Sequence, residues 1–239
     1  MVVILVAAAI AIGIAVAIAQ AKAERERTAR LGALAAEQGW SFAPERDRDF
    51  PGRFRQFEVF TRGHTRMAYN TMRGTMPAWG ASCPFQTGDY RYSITTSTGK
   101  STTTRVYQLS YMVVAIPLPG VPDVTIRPEG FMDSLVQAIG FDDIDFEDAE
   151  FSRMFMVKSK DRRFAYDLCH PRMIEHLKER YARGPAIVIA QGTMCFFTEN
   201  RRWEPSEFTS RLNGVREFFQ WWPDHVVREL GGEPKGAGI

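Results

Sequence analysis

The chain has 239 residues, with 30 basic and 28 acidic side chains and a formal net charge of +2. This balance, without a long basic tract, excludes binding to nucleic acid through overall charge, so we expect no nucleic-acid partner. The three cysteines cannot form a closed disulfide framework because their number is odd. Reduced cysteines suit a domain that faces the cytoplasm.

The first predicted element is an apolar helix. Residues 2–19 contain only Val, Ile, Leu, Ala and one Gly, and as a helix this run is about 27 Å long, close to the thickness of a bilayer's hydrocarbon core. Lys22, Arg25, Arg27 and Arg30 follow at once, and basic residues mark the cytoplasmic flank of a span. We predict a single-pass transmembrane helix in a bacterial cytoplasmic membrane, with the lipid bilayer as its partner, the N-terminus outside and the domain in the cytoplasm.

A cleaved export signal is the alternative for the same run. Pairs of small residues end at Ala19 and at Ala23, and both fit the pattern of signal cleavage. A secretory signal begins with basic residues, however, and no basic side chain precedes this run. The sequence therefore favours a retained anchor over a secreted protein.

The apolar run also carries a pattern of small residues. Ala9, Gly13 and Ala17 recur every four positions, so they share one helix face. Small residues spaced in this way let two helix backbones approach closely in lipid. We interpret the three as a candidate helix–helix face for self-association.

The helical pattern continues beyond the run. Leu31, Leu34 and Ala35 fall on one face, and the charges of "AERERTAR" are predicted to lie in solvent. The helix is predicted to end near Gln38, because Gly39 suits the position after a helix terminus. The chain then divides into a transmembrane helix with its extension (1–39), an α+β domain (40–230) and a flexible tail (231–239).

The domain is predicted to contain strands grouped apart from helices. We predict a strand at "HTRMAYNTM", a loop at "RGTMPAWGASCPFQTGD", a long hairpin around "STGKST" and a strand at "DFEDAEFSRMFMVKS". Helices are predicted around Phe131, Leu135 and Ile139, after the N-cap Asp161, from Pro171 and across "PSEFTSRLNGVREFFQWW", with a second hairpin at 187–197. This grouping predicts an α+β fold with a mostly antiparallel sheet and packed helices.

The motifs that suggest chemistry are incomplete. Cys195 and Arg201 have the spacing of a phosphatase loop, but no glycine lies between them to form an anion nest. Cys169 and His170 are adjacent and diverge on a helix, and a calcium loop starting at Asp143 lacks its glycine and final glutamate. "STGKST" lacks the first glycine of a P-loop. We expect no catalytic residue, cofactor or metal site.

The closing helix ends in a cluster of aromatic residues. A helical stripe that we assign to the core contains Leu212, Val215, Phe219 and Trp222. Phe218 and Trp221 fall off that stripe, and aromatic residues are common at bilayer surfaces and at protein interfaces. We interpret Phe218 and Trp221 as a candidate membrane or partner patch.

One part of the domain resembles a known family. The pattern F-x3-F-x-V-x-S-x-D, followed by an alanine, a leucine, a proline and a leucine, is matched by Phe151, Phe155, Val157, Ser159, Asp161, Ala165, Leu168, Pro171 and Leu177. It resembles the core of a bacterial family of membrane-associated proteins known only as a domain of unknown function, over about residues 127–200. The pattern is one of packing, so the resemblance implies a fold and no activity.

These observations lead to two hypotheses about function. The first is a single-pass, membrane-anchored protein whose cytoplasmic domain is a binding or assembly module for an unidentified protein partner. The second is a membrane-tethered, hydrolase-like enzyme with a site that no motif reveals. A pocket with converging polar groups and shifted pKa values favours the second.

Overall fold

The computed structural model describes residues 2–130, 143–182 and 184–234, with side chains from residue 10 onward. The helices are α1 (Val2–Glu37), α2 (Phe50–Arg53), α3 (Ala149–Met154), α4 (Arg162–Leu168), α5 (Pro171–Tyr181), α6 (Pro205–Gln220) and α7 (Asp224–Glu229). The strands are β1 (Ser41–Ala43), β2 (His64–Ala78), β3 (Ala81–Ser97), β4 (Thr102–Ala115), β5 (Val124–Pro128), β6 (Phe155–Ser159), β7 (Ala186–Ala190) and β8 (Thr193–Phe197). The helix predicted around Phe131, Leu135 and Ile139 lies outside the described residues.

The eight strands of the described residues form one sheet, in the order β1-β2-β3-β4-β8-β7-β5-β6. Every neighbouring pair in it is antiparallel. The predicted α+β fold with a mostly antiparallel sheet and packed helices is therefore confirmed. The first helix, α1, ends at Glu37, one residue before its predicted end.

The two faces of the sheet bury separate hydrophobic clusters. On β4, Met112 and Val114 belong to the larger cluster, whereas Val113 between them belongs to the smaller one, as strand alternation requires. The larger cluster packs against the C-terminal part of α1 and against α4 to α7. Phe50, Phe57 and Phe60 cover the smaller one. The long helix α1 is thus part of the domain's main core only near its C-terminal end.

The loop predicted at "RGTMPAWGASCPFQTGD" is wrong, because this segment forms the hairpin of β2 and β3. Its register runs from Arg73 opposite Gln86 to Ala78 opposite Ala81. Pro77 lies beyond the last pair of β2 with β1, and Pro84 lies beyond the last pair of β3 with β4. Each proline therefore occupies a stretch of strand with one open edge, where its missing N–H breaks no ladder.

Two helix starts in the second half rest on aspartate caps. Asp161 accepts a hydrogen bond from the Phe164 N–H at 2.9 Å, which confirms its predicted role as the N-cap of α4. Asp148 caps α3 in the same way through the Phe151 N–H, also at 2.9 Å. The strand predicted across "DFEDAEFSRMFMVKS" is wrong in its first half, because this cap starts a helical turn before β6.

Candidate functional site

A buried ion pair fixes the N-terminal helix to the sheet. Arg27 Nε donates to Asp89 Oδ2 at 2.8 Å, and Arg27 Nη2 donates to Asp89 Oδ1 at 2.7 Å. Arg27 is 5% exposed and Asp89 is 0% exposed. Two charges buried this deeply need each other and further hydrogen bonds, so the pair sets both the position and the rotation of α1. The prediction that the charges of "AERERTAR" lie in solvent is wrong for Arg27.

Three side chains and one backbone N–H extend this pair into a hydrogen-bonded cluster. Ser110 Oγ donates to Asp89 Oδ1 at 2.8 Å, and Asn70 Nδ2 donates to Asp89 Oδ2 at 3.1 Å. Thr28 Oγ1 donates to Asn70 Oδ1 at 2.9 Å, and the Trp203 N–H donates to Ser110 Oγ at 3.0 Å. The cluster therefore joins α1 to β2, β3, β4 and the loop before α6.

A bulge in β2 turns Asn70 toward the cluster. Asn70 has a φ of 51°, and the register of β2 against β3 shifts between Tyr69 and Met72. The bulge passes so close to Gly88 that a Cβ there would lie 2.8 Å from the Asn70 carbonyl oxygen. Gly88 is therefore required for the arrangement around Asp89.

A second contact holds α1 one turn earlier. Arg202 Nη1 donates to Glu24 Oε1 at 2.6 Å and to Oε2 at 2.8 Å. The Tyr69 hydroxyl lies 3.4 Å from the same nitrogen, and burial raises the pKa of Tyr69 to about 12, so it stays neutral. Arg30 lies 3.8 Å from Glu204. Polar contacts thus hold α1 from Glu24 to Arg30.

N-terminal to Glu24, the helix leaves the domain. Every residue from Ile10 to Ala23 is exposed. The exposed fractions of the large apolar side chains run from 50% to 65% at Ile10, Ile12, Ile14, Val16 and Ile18. Contiguous apolar surface of this kind marks a site of contact with lipid or protein. Within the part of the chain that the structure describes, no helix is both long enough and apolar enough to cross a membrane.

The candidate helix–helix face lies partly on this exposed stretch. Gly13 and Ala17 are exposed, and the space that a Cβ on Gly13 would enter is open. The side chain of Ala9 lies outside the described residues. Self-association through this face stays a prediction.

The exposed helix defines one end of the domain. The helix α1 runs alongside β2 in the same direction, since Thr28 bonds Asn70 and Phe42, after the helix, pairs with Met72. Directly after β2, Trp79 packs against Phe219 with a ring-centroid distance of 4.6 Å. From Asn70 to the end of β2 at Ala78 the strand covers about 26 Å. We call the end with the exposed helix the proximal end and the end with Trp79 the distal end.

The aromatic residues of the closing helix lie at the distal end. Phe218 is 0% exposed and packs against Phe219 and Trp222, with ring-centroid distances of 6.2 and 6.3 Å. Trp221 is 38% exposed. The candidate patch therefore contains Trp221 and not Phe218, which faces the core. Its distal position separates Trp221 from the apolar part of α1.

A groove of about 780 Å³ opens beside Trp221. Its charged and titratable lining residues are His170, Arg172, His176, Glu179, Arg180, Glu217 and His225. His170 Nε2 lies 2.9 Å from the Trp221 carbonyl oxygen. Among the described residues, no serine, threonine or cysteine lines the groove, so it offers no hydroxyl or thiol nucleophile. His170 and His176 belong to α5 and its N-cap, whereas Glu217 and His225 come from α6 and α7, so no local motif predicted the groove.

His176 gives this groove a testable pH dependence. The residue is 8% exposed, and burial lowers its pKa below the ordinary 6.5. The folded state thus favours the neutral ring, so stability is expected to fall as the pH drops from about 6.5 toward the lower folded-state value.

Urea unfolding of His176→Phe at a series of pH values should lack this decline. The matched variant His225→Phe should keep it, because His225 is exposed. An unchanged decline in His176→Phe contradicts the assignment.

The cysteines do not form a reactive site. Cys83, Cys169 and Cys195 are buried free thiols. Burial raises the pKa of Cys83 to about 11 and that of Cys169 to about 12, and it raises the pKa of Cys195 well above its ordinary value. Thiols that stay protonated are poor nucleophiles. Arg201, which has the phosphatase-loop spacing from Cys195, pairs with Glu207 at 2.9 Å. Among the described residues, no three His, Cys, Asp or Glu side chains are grouped to hold a metal ion.

The sequence contains one signal for the buried pair that the prediction missed. Arg27, Leu31 and Ala35 are spaced by four, so they share one helix stripe, and all three are buried. A charged residue on the stripe that faces the core needs a buried partner. The stripe indicates that such a partner exists, but it does not identify Asp89.

Comparisons with known proteins place the fold. No family model matches the chain, and no curated protein matches it. Among solved structures, the chain is similar to the crystal structure of the mycobacterial trehalose monomycolate transport factor A, TtfA, with a TM-score of 0.58. The sequences are 15% identical, and the match covers 88% of this chain and 99% of the other. At this identity the likeness shows a shared fold. The resemblance to a domain-of-unknown-function family stays a prediction.

Proposed function

We propose that this chain is a membrane-attached accessory protein in lipid transport or lipid binding, and that its domain is a binding or assembly module in the cytoplasm. The observation that carries the proposal is the exposed apolar part of α1, which Arg27 and Asp89 fix to the domain. The chain would attach to the bilayer through residues 2–19, with the N-terminus outside.

The physical support is the cost of the exposed apolar surface. Removing apolar surface from water contributes about 25 cal/mol per Å², and the side chains from Ile10 to Ile18 leave much of theirs uncovered. A bilayer covers all faces of a helix at once, which suits a helix that is apolar all round. Lys22 and Arg25 are exposed where the apolar run ends, so they remain available as a cytoplasmic flank. Arg27 does not count toward that flank, because it is paired with Asp89.

The lipid role rests on the shared fold. The structurally similar protein is a transport factor for trehalose monomycolate, which is a lipid. A fold alone supports many functions, but here a second feature, the exposed apolar helix, also points to lipid. Together, the shared fold and the exposed apolar helix favour a role in lipid transport or lipid binding over an enzymatic role.

A membrane-tethered enzyme is the second candidate, and the distal groove favours it most. Three histidines and two glutamates line that groove, and such residues can act as general acids and bases. No described residue gives the groove a hydroxyl or thiol nucleophile, however, and His170 already contacts the Trp221 backbone. A binding surface for a protein partner therefore remains the better interpretation of the groove.

Topology labelling tests the proposal. An N-terminal extension that carries one cysteine, and Thr102→Cys, each add one thiol to a chain whose own three cysteines are buried. In intact cells a membrane-impermeant thiol reagent is expected to label the N-terminal cysteine only, and after lysis it should label both. Labelling of Thr102→Cys in intact cells contradicts a cytoplasmic domain. A mature chain that starts after Ala19 or Ala23 supports the secreted alternative.

A further inference from the structure

The β3–β4 hairpin extends beyond the rest of the sheet. Pairing of β3 with β2 ends at Ser93, and pairing of β4 with β8 ends at Tyr111. The two strands remain paired with each other out to Ser97 opposite Thr102. We call residues 94–105 the finger. Its turn is closed by a 3.0 Å hydrogen bond from the Thr98 N–H to the Ser101 carbonyl oxygen.

The finger points toward the proximal end. Ser93 pairs with His64, which is the first residue of β2. Because α1 runs along β2 in the same direction, the start of β2 lies at the same end as the exposed part of α1. The nine residues from Asp89 to Ser97, eight steps along the strand, cover up to about 26 Å. The finger and the apolar helix therefore leave the domain on the same side.

The finger is basic and rich in hydroxyl groups. Residues 90–122 contain no Asp or Glu, whereas Lys100 and Arg105 lie in the finger and are exposed. Its other side chains from Thr95 to Thr104 are all serine or threonine apart from Gly99. Hydroxyl groups donate hydrogen bonds to phosphate oxygens, and basic side chains are attracted to anionic lipid. From Thr95 to Arg105 no side chain is apolar, so the tip has none to enter the hydrocarbon, and Ile94 at the base of the finger packs against the smaller cluster.

We infer that the finger is an arm that binds the anionic headgroup surface of the bilayer to which α1 attaches. This inference rests on the proposed function, because it needs the proximal end to face a membrane. The partner follows from three properties of the finger: its direction, its positive charge and the lack of apolar side chains from Thr95 to Arg105. These properties suit a headgroup layer, in which phosphate groups meet water.

A fluorescent label at the tip tests the inference in the whole chain. Ser101→Cys carries an environment-sensitive fluorophore, and Glu179→Cys carries the same label at the distal groove as the control position. The chain is added to preformed vesicles of phosphatidylcholine alone, or of phosphatidylcholine and phosphatidylglycerol in equal amounts. The tip label is expected to be protected from an aqueous quencher in the anionic vesicles only. The distal label should stay accessible in both.

Charge variants identify the side chains responsible. Each basic side chain near an anionic bilayer raises the ratio of docked to undocked tips about fivefold. Lys100→Gln combined with Arg105→Gln should therefore lower that ratio about 25-fold. Arg172→Gln with Arg180→Gln removes the same charge from the distal groove and should change nothing. If the chain floats with vesicles but the quencher reaches the tip label equally in neutral and in anionic vesicles, the inference about the finger is wrong and the proposed function stands. A chain that floats with neither overturns the proposed function and the inference together.

Discussion

Asp89→Ala is expected to lower the free energy of unfolding by about 3–5 kcal/mol, because it leaves the buried Arg27 charge without a partner. The change also removes the acceptor for Ser110 and Asn70. Urea unfolding of the whole chain in mild detergent, followed by tryptophan fluorescence, measures this loss.

Two further variants separate the ion pair from general damage. Lys22→Gln breaks the exposed pair with Glu26, whose atoms are 3.9 Å apart, and should cost less than about 1 kcal/mol. Arg27→Met combined with Asp89→Asn removes both charges and should recover part of the loss, because no unpaired charge stays buried. A loss below about 1 kcal/mol in Asp89→Ala would show that the pair does not fix the helix.

Ile10→Asp combined with Ile14→Asp is expected to abolish membrane attachment. An aspartate near the centre of a membrane helix costs about 3 kcal/mol, so the two together cost about 6 kcal/mol. Both isoleucines are more than half exposed, at 58% and 56%, so the folded domain should be unaffected. Flotation with vesicles measures attachment, and circular dichroism of the same sample checks the fold.

The matched control is Ile10→Leu combined with Ile14→Leu, which keeps the helix apolar and should float like the unchanged chain. Flotation of the aspartate variant at the level of this control contradicts attachment through α1. Loss of flotation together with loss of the fold would instead indicate that α1 stabilises the domain through these residues.

Local patterns in the sequence predicted those elements that local forces determine. The N-cap at Asp161 and the helix start at Pro171 depend on residues within one turn, and the structure places both where the sequence indicates. The α+β class follows from the same local patterns. Prolines misled the prediction between Arg73 and Asp89, because whether a strand tolerates proline depends on its neighbours in the sheet. Those neighbours are not encoded in the segment itself.

The candidate site depends on contacts between distant residues. Arg27 and Asp89 are 62 positions apart, and Glu24 and Arg202 are 178 apart. Composition and periodicity show that α1 is apolar first and charged later, but they do not show which charges are buried. The distal groove is beyond sequence prediction for the same reason, since α5, α6 and α7 create it by packing together.

The unbroken course of α1 determines how the domain can move relative to whatever holds its N-terminal half. The helix continues from Val2 to Glu37 without proline, and its docked part begins at Glu24, so no flexible linker separates the two. A tilt or rotation of the apolar half is therefore transmitted to the whole domain as one lever. In the proposed attachment to a bilayer, the height of the groove beside Trp221 above the bilayer surface changes only when the whole helix tilts. A partner that binds there must reach that height, because no linker lets the domain move toward the bilayer independently of α1.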